Sequence, residues 1–380
     1  MILKNANVFV NGNFQKVNVK VENGRFSNIT DSSIPFDDDE SACMVVDLEG
    51  KFILPGCIDV HSHGCMGYDF INASVDEIEK MCEFYASNGI TSILATTMTI
   101  DMDTHRQAMR NIKTAMESDL KGSRIVGINM EGPFLGIDKR GAHDPRYLMP
   151  IDTLVFDELN DLSGNNIRII DIDPTLPGAI DFIEKYHESI TISLAHTSSN
   201  YHTAMEAFDA GASHVTHLFN AMNGLHHREP GIVGAFSDHD ANAELICDGI
   251  HVHPSVIRLI YKAKSDKLIL ISDSMCAAGL SDGIYELGGQ KVNVKDMKAT
   301  LDDGTIAGST VNVYEAMKRA INFGVPAAQA ILSATLIPAK SIKADNEIGS
   351  ISVGKKADFI ITDNEYNIEH VYINGRKVMQ

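Results

Sequence analysis

The stretch Ile58-Asp59-Val60-His61-Ser62-His63-Gly64 decides the fold of this chain and indicates its chemistry. It follows an apolar run at 52–57 that predicts a buried strand. Because alternate residues of a strand point to the same face, His61 and His63 are expected to project together. Neighbouring imidazoles favour a transition-metal site, although a His-x-His pair alone also fits two ordinary packing or surface histidines.

Further apolar, β-branched runs each stop at a residue able to bind or serve a metal. The runs cover 124–129, 189–194, 213–216 and 268–272, and the residues that follow them are Glu131, His196, His217 and Asp273. Amphipathic segments of helix length separate the runs, which predicts parallel βα units. In a (β/α)₈ TIM-like barrel the carboxyl ends of all strands open on one face, where active sites lie. These four side chains are therefore expected to converge with His61 and His63. The alternative is that each is a polar strand cap.

The two ends of the chain carry a different pattern. Short strands alternate with turns at Asn11-Gly12, Asn23-Gly24 and Asn374-Gly375, and a strand is predicted at 348–351. All-β ends around a βα core predict an α/β fold with two domains. The (β/α)₈ barrel is expected at 53–346, and a small discontinuous β-sandwich domain at 1–52 and 347–380.

Composition narrows the class of protein. The net charge of −19 argues against nucleic acid or an anionic membrane as a partner. No apolar run approaches the roughly 20 residues that span a bilayer, and the N-terminus lacks a signal-peptide pattern. The six cysteines show no Cys-x-x-Cys spacing and are expected to be free thiols. A cytoplasmic enzyme is therefore expected.

Eight motifs of the chain resemble one family. They are PGCIDVHSHG, NMEGPFLG, KRGAHDP, LAHTSSN, VTHLFNAMNGLHHREPG, CDGIHVHP, LISDSM and IAGST. Together they are similar to the N-acetylglucosamine-6-phosphate deacetylases of the amidohydrolase superfamily, from about residue 45 onward. The resemblance implies hydrolysis of the acetamide of N-acetylglucosamine 6-phosphate, within the same barrel and terminal domain.

The resemblance also implies a metal centre. Glu131, His196 and His217 would hold one divalent ion, and His61 and His63 would hold a second, with Glu131 bridging the two. One or two ions per subunit fit the family, and two are favoured because this chain keeps the histidine pair. Zinc, iron, manganese and nickel all suit such ligands. The family pattern further implies that Asp273 is the general base and acid, and that His143 polarises the acetyl oxygen.

The substrate pocket and the assembly are implied in the same way. The family pattern gives a sugar-phosphate pocket lined by Ala142, His143, Asn220, Ala221, Arg228, Asp248, His251, Ile306, Ala307 and Gly308. It also gives a homodimer in which Arg228 reaches the phosphate site of the neighbouring subunit. In an acidic chain a phosphate needs local cations, and a guanidinium presents a planar fork of donors that suits it.

Other histidines are assigned no part in the site. His214 lies three residues before His217, so strand alternation places it on the opposite face. His105 and His202 are in polar, helical contexts and are expected to be solvated. His253 lies two residues after His251 and is the weaker candidate of that pair.

Three other functions were weighed against this one. The substrate could be another N-acetylhexosamine 6-phosphate, such as the galacto epimer. A cyclic-amide hydrolase of the same superfamily usually bridges two metals with a carboxylated lysine, and no lysine ends a strand here at the matching place. A non-catalytic scaffold would have lost metal ligands, whereas every candidate ligand is present.

Overall fold

The computed structural model describes residues 1–34 and 44–378. In chain order, the strands are β1 (Ile2–Val10), β2 (Asn13–Glu22), β3 (Arg25–Asp31), β4 (Val45–Asp47), β5 (Phe52–Pro55), β6 (Cys57–Ser62), β7 (Gly64–Cys65), β8 (Tyr68–Asp69), β9 (Ile90–Thr97), β10 (Arg124–Glu131), β11 (Ile167–Ile172), β12 (Thr191–Leu194), β13 (His214–Val215), β14 (Asn242–Ile246), β15 (Leu268–Ile271), β16 (Gly283–Leu287), β17 (Gln290–Lys295), β18 (Lys298–Thr300), β19 (Phe359–Thr362), β20 (Ile368–Ile373) and β21 (Arg376–Lys377). The α-helices are α1 (Val75–Ser87), α2 (Met102–Glu117), α3 (Thr153–Leu162), α4 (Ala179–Tyr186), α5 (Tyr201–Asp209), α6 (Gly231–Asp238), α7 (Pro254–Lys264), α8 (Val313–Asn322), α9 (Ala327–Ala334) and α10 (Leu336–Ser341).

Eight parallel strands form a barrel in the middle of the chain. They follow chain order around the sheet as β6, β9, β10, β11, β12, β13, β14 and β15. The barrel closes where Ser62 of β6 pairs with Ser274, three residues beyond the end of β15. All eight residues of β9 are buried, as expected for a strand covered on both faces. The predicted (β/α)₈ barrel is confirmed, and it brings the strand carboxyl ends to one face.

The helices between the barrel strands bury one face each. Helix α1 shows how the sequence sets this up, because Ser74 and Glu77 form a capping box at its first turn. Its buried side includes Ile78, Met81 and Tyr85, which recur at helical spacing. Acidic and basic side chains occupy the solvent side, so the helix packs in one orientation only.

The apolar run at 52–57 divides between two sheets. Strand β5 pairs with β1 and β19, whereas β6 begins the barrel at Cys57. Gly56 joins them where the chain passes tightly against Thr91, since a Cβ at this position would lie 2.2 Å from the Thr91 hydroxyl. A single strand through 52–57 was therefore the wrong interpretation, and the chain changes sheet at the glycine.

Both chain ends contribute to a second sheet. Its main path runs β21-β20-β19-β5-β1-β2-β3, and β4 pairs with β1 in addition. Val8, Val19, Phe26, Ile53 and Phe359 belong to its buried core. This confirms an additional β domain made from both termini. The strand predicted at 348–351 is wrong, because those residues adopt bends and irregular backbone.

A three-stranded antiparallel sheet, β16–β18, was not predicted. We call it the flap (residues 283–300). It packs on the barrel through Leu287, Val292 and Ala299, which share a buried cluster with Met98 and Met275. The flap therefore lies over the barrel face that carries the strand ends.

The described residues include five of the six cysteines and all helices of the structure described above. Cys43 lies outside them, and the other five cysteines are free and buried. Within 1–34 and 44–378, no helix has both the length and the apolar character needed to cross a bilayer.

His105 is buried, which corrects the expectation that it is solvated. It lies on the inner face of α2 with 0% of its surface exposed, and its Nε2 lies 3.1 Å from the Thr97 hydroxyl. Burial lowers the pKa of His105 to about 4, which keeps the ring neutral in the folded protein. The corresponding histidine of the unfolded chain titrates near its ordinary pKa of about 6.5.

This burial predicts a loss of stability in mild acid. Between pH 7 and pH 5 the unfolded state takes up a proton that His105 cannot take up, so the free energy of unfolding falls. The contribution of this one group is about 2 kcal/mol. Urea denaturation of His105→Gln at both pH values should show a pH dependence smaller by that amount. The exposed His202→Gln is the matched control, and equal behaviour of the two variants would contradict the prediction.

Candidate active site

The barrel strand ends open into a cavity of about 500 Å³. Flap residues Leu287 and Gln290 form part of its wall, and the Gln290 amide donates to the carbonyl oxygen of Ala142. Predicted site residues that line the cavity are His63, Glu131, Ala142, His143, His196, His217, Asn220, Ala221, His251, Asp273, Ile306 and Gly308. The strand-end pattern of the sequence thus located a real concave site.

Glu131 is at the centre of this site. Its Oε1 lies 3.0 Å from His196 Nε2, 3.1 Å from His217 Nε2 and 3.6 Å from His61 Nε2. Its Oε2 lies 3.3 Å from His63 Nε2 and 3.3 Å from His143 Nε2. One carboxylate that is 2% exposed therefore faces five imidazoles.

The proton position on His196 follows from its second ring nitrogen. Nδ1 lies 2.8 Å from the carbonyl oxygen of Lys139, which can only accept, so Nδ1 carries the hydrogen. In the neutral ring the lone pair is then on Nε2, which lies 3.1 Å from His217 Nε2. Such a backbone contact is the usual way to orient a metal-binding imidazole.

His143 has the opposite arrangement. The backbone N–H of Thr99 donates to its Nδ1 over 3.3 Å, so Nδ1 is the unprotonated nitrogen. In the neutral ring Nε2 carries the hydrogen and faces the cavity. His143 lies close enough to Glu131 and His196 to share an ion with them. The hydrogen on Nε2, however, makes it a hydrogen-bond donor toward the cavity rather than a ligand.

His61, His63 and Asp273 form a second group on the same wall. Asp273 Oδ1 lies 3.3 Å from His63 Nε2 and 3.7 Å from His61 Nε2. His61 Nδ1 lies 2.9 Å from Glu244, while its Nε2 is buried without a hydrogen-bond partner. A buried lone pair of this kind is costly unless a proton or a metal ion meets it.

These atoms fit a metal centre. Three overlapping groups have ligand atoms within 4.8 Å of one another, namely His61, His63 and Asp273; Glu131, His143 and His196; and His61, Glu131 and Asp171. Imidazole and carboxylate together form the donor set that first-row transition metals use. The donor set and the orphaned Nε2 of His61 therefore support metal binding at this site.

The local charges oppose the cost of burial. Burial disfavours the ionised form of Glu131, but the charges of His143 and His61 outweigh it and hold its pKa well below the ordinary value. Burial likewise disfavours protonated His63, but hydrogen bonds to Asp273 and Glu131 raise its pKa to about 10. Burial and the charge of His143 lower the pKa of His196 to about 4. At neutral pH Glu131 is therefore ionised and His196 is neutral.

Asp273 is held in its ionised form. Burial alone would raise the pKa of this carboxyl group, but the hydrogen bond to His63 and the charges of His61 and His63 bring it below its ordinary value. Asp273 therefore carries a free carboxylate at neutral pH, as a general base requires.

The backbone is strained at three of these strand ends. His196, His217 and Asp273 have φ values of 44°, 28° and 48°, in the region that L-residues rarely adopt. Strain of this kind persists where the surrounding structure over-determines the geometry, and it is concentrated at functional sites. All three positions lie two residues beyond the end of a barrel strand, and their side chains line the cavity.

The predicted substrate residues divide into two groups. Asn220, Ala221, His251, Ile306 and Gly308 line the cavity, and Ala307 is fully buried between the last two. A Cβ on Gly308 would lie 3.1 Å from the Asp273 carbonyl oxygen, so only glycine fits there without a shift.

Asp248 and Arg228 lie outside the cavity wall. Asp248 is 5% exposed and lies 2.6 Å from His251 Nδ1, so it orients that histidine. Arg228 is exposed and donates to His227 Nε2 over 2.6 Å, on a loop of its own. His253 begins helix α7 as its N-cap and does not reach the cavity.

Several polar residues of the site were missed. Glu244 and Asp171 are fully buried within strands rather than at strand ends, so the strand-end pattern could not find them. The available signal was a charged residue inside an apolar strand, which is rare unless it is paired. Lys139 and Arg140 also line the cavity and bring positive charge to it.

His214 is not among the residues that line the cavity, but it contacts a carboxylate that supports the site. It is 0% exposed, and its Nε2 lies 3.2 Å from Glu244 Oε1. Strand alternation does turn it away from His217, but Glu244 contacts both residues, through the His214 ring and the His217 backbone.

Comparisons with known proteins agree with this geometry. The model of the amidohydrolase family matches residues 52–378. The chain belongs to the amidohydrolase family. It is 40% identical to the N-acetylglucosamine-6-phosphate deacetylase of Bacillus subtilis (strain 168), over 83% of this chain and 82% of the relative. It is 33% identical to the N-acetylgalactosamine-6-phosphate deacetylase of Escherichia coli O157:H7, over 87% and 89%.

A solved structure shows the same fold over the whole chain. The crystal structure of N-acetylglucosamine-6-phosphate deacetylase from Pasteurella multocida superposes with a TM-score of 0.92 at 30% identity. The match covers 99% of this chain and 98% of that structure. The resemblance drawn from the sequence motifs is thereby confirmed.

Proposed function

We propose that this protein hydrolyses the acetamide of N-acetyl-D-glucosamine 6-phosphate to D-glucosamine 6-phosphate and acetate, in amino-sugar catabolism and recycling. The observation that carries the proposal is the contact of Glu131 with five imidazoles beside an ionised Asp273. The 40% identity to a deacetylase of that name supports the substrate. We place the enzyme in the cytoplasm as a homodimer.

The chemistry assigns a role to each side chain. We assign Glu131, His196 and His217 to one divalent ion, and His61 and His63 to a second that shares Glu131. Bound there, a divalent metal supplies Lewis acidity that polarises the acetyl carbonyl and lowers the pKa of water. Zinc, iron, manganese and nickel each suit these donors.

Asp273 and His143 perform the proton chemistry. Asp273 accepts a proton from the attacking water and returns it to the departing amine, so that one carboxylate serves as base and then as acid. His143 donates from Nε2 to the acetyl oxygen as negative charge develops on it, the direction that its contact with Thr99 dictates. The products are acetate and a free amine, which balances the water consumed.

One experiment tests the proposal as a whole. Purified protein is subjected to elemental analysis and then assayed for acetate release from N-acetylglucosamine 6-phosphate. We expect bound transition metal and turnover, and a protein without either would overturn the proposal. The galacto epimer is assayed beside it, because the Escherichia coli relative is named for that substrate. A higher kcat/KM on the galacto epimer would replace the substrate but not the reaction.

A further prediction concerns the substrate phosphate. Arg228→Ala is expected to lower kcat/KM on N-acetylglucosamine 6-phosphate about 10- to 150-fold, because a charge-assisted hydrogen bond contributes roughly 1.5–3 kcal/mol. The poor hydrolysis of unphosphorylated N-acetylglucosamine should barely change. Arg228 is exposed on its own chain and outside the cavity wall, which suits a residue that acts in the neighbouring subunit.

Mixed dimers and a second arginine variant decide whether the phosphate is bound by Arg228 of the neighbouring subunit. Mixed dimers of Arg228→Ala and Asp273→Asn chains should regain activity if Arg228 acts across the interface, since one site then has both groups. Arg140→Ala is the matched variant within the cavity. If Arg140→Ala causes the selective loss and Arg228→Ala does not, the phosphate is held by its own subunit.

A further inference from the structure

Glu244 is a buried carboxylate that contacts histidines on both sides. It lies in the middle of β14 with 0% of its surface exposed. Its Oε2 lies 2.9 Å from His61 Nδ1 and accepts the His217 backbone N–H over 3.1 Å. Its Oε1 lies 3.2 Å from His214 Nε2. Both oxygens are thus occupied, and two of the contacts lead to residues of the metal site.

The contact with His61 fixes the direction of that ring. A carboxylate accepts hydrogen bonds, so His61 Nδ1 carries the hydrogen and donates it to Glu244. In the neutral ring the lone pair is on Nε2, which lies 3.6 Å from Glu131 and 3.7 Å from Asp273 without a hydrogen bond to either. Lys139 does the same for His196 with a neutral carbonyl group. Glu244 orients His61 with a charged carboxylate group, which also increases the basicity of the His61 Nε2.

The contact with His217 acts on the main chain. His217 lies two residues after the end of the short strand β13 and has the strained φ of 28°. A charge-assisted hydrogen bond to its N–H stabilises this conformation. The same Oε2 therefore contacts one residue from each of the two proposed ligand sets. A substitution at Glu244 is expected to affect metal binding by both sets.

His214 completes the arrangement from the other side. It is fully buried on β13, and its ring nitrogen faces the Oε1 that would otherwise have no partner. A buried carboxylate with an unsatisfied oxygen is costly, so His214 holds Glu244 in the orientation that serves His61.

We propose that Glu244, held by His214, is the positioning residue of the metal centre, and that it makes His61 a ligand through Nε2 while fixing the backbone at His217. This rests on the proposed metal-dependent function. The proposal gives a role to Glu244 and His214, which do not line the cavity. It also explains why a barrel strand carries a buried charged residue.

The first test measures metal affinity of the whole protein. Zinc titration against a competing chelator is carried out on wild type, Glu244→Gln and Asp173→Asn. Asp173 is a matched control, since it is 2% exposed and its carboxylate contacts Thr175 instead of a site histidine. We expect two ions in wild type and Asp173→Asn, and a 10- to 100-fold weaker affinity for at least the His61 ion in Glu244→Gln.

A purely structural role is separated by a second readout. Glutamine keeps the shape of the side chain, so the variant should fold, but it removes the negative charge that strengthens the hydrogen bond from His61 Nδ1 and the basicity of Nε2. If Glu244→Gln lowers only the melting temperature of the metal-free protein and both ions bind with wild-type affinity, the proposal is overturned. An equal loss of affinity in Asp173→Asn would overturn it as well.

The tautomer is tested independently of turnover. In ¹⁵N-histidine-labelled, zinc-loaded protein, His61 should show a slowly exchanging Nδ1 proton and a metal-bound Nε2, assigned by comparison with His61→Asn. A proton on Nε2 would overturn the proposal. Because these measurements do not use the substrate, a failure to deacetylate N-acetylglucosamine 6-phosphate would remove the proposed reaction and leave the positioning role to be decided by the metal data.

Discussion

Asp273→Asn is expected to retain its metal and to bind substrate, yet to lose at least 10²- to 10⁴-fold in kcat, the range that general acid–base catalysis contributes. The carboxylate lies 3.3 Å from His63 and 3.7 Å from His61 and lines the cavity. It is ionised because His63 and His61 lower its pKa. An amide of the same shape can neither accept the proton of water nor return it to the amine.

The measurement separates this role from a structural one. Steady-state kinetics should show the loss in kcat, while elemental analysis and binding of the intact substrate stay close to wild type. Asp173→Asn, which makes the same change at a buried carboxylate that does not line the cavity, should keep its kcat. A near-normal kcat in Asp273→Asn would mean that the carboxylate only supports its neighbours.

The sequence predicted the barrel and much of the site for one physical reason. Parallel strands of a barrel end on the same face, so polar residues at successive strand ends converge however far apart they lie in the chain. Glu131, His196, His217 and Asp273 were found in this way, and the cavity they line confirms their convergence. Their roles as ligands and base stay predictions.

The strand-end pattern could not identify polar residues that are buried within a strand or on the inner face of a helix. Glu244 and His214 lie on the neighbouring strands β14 and β13, and the pairing of these two strands brings them together in the interior. His105 looked solvated because its helix is polar overall, yet it lies on the inner face beside Thr97. Such pairings depend on which strands and helices are neighbours in space, which a local pattern does not contain.

Local strand propensity also failed at the boundary between the sheets. The run at 52–57 is apolar throughout, so nothing in its periodicity marks a change of partner. The signal was Gly56, which alone allows the chain to pass close to Thr91. The flap was missed although Gly288-Gly289, between two runs with strand character, is a hairpin signal.

Removal of the metal is expected to abolish activity, and Glu131→Gln should reproduce that loss at ordinary metal concentrations. Glu131 faces His61, His63, His196 and His217, so both proposed ligand sets would share it. Glutamine turns an amide N–H₂ toward at least one of these sets, and this group cannot bind a cation. Removing one member of a buried ion pair costs about 3–5 kcal/mol, which corresponds to a fall of about 10²- to 10⁴-fold in metal affinity.

Chelation and reconstitution check the Glu131 prediction. Dialysis of wild type against a chelator should remove both metal and turnover, and added zinc or manganese should restore them, whereas Glu131→Gln should stay inactive under the same conditions. Metal-free Glu131→Gln should stay folded by circular dichroism but melt below metal-free wild type, because Glu131 also pairs with the buried histidines. Full turnover by metal-free wild-type protein would refute the assignment, since Asp273 and His143 alone cannot supply the Lewis acid that we assign to the groups around Glu131.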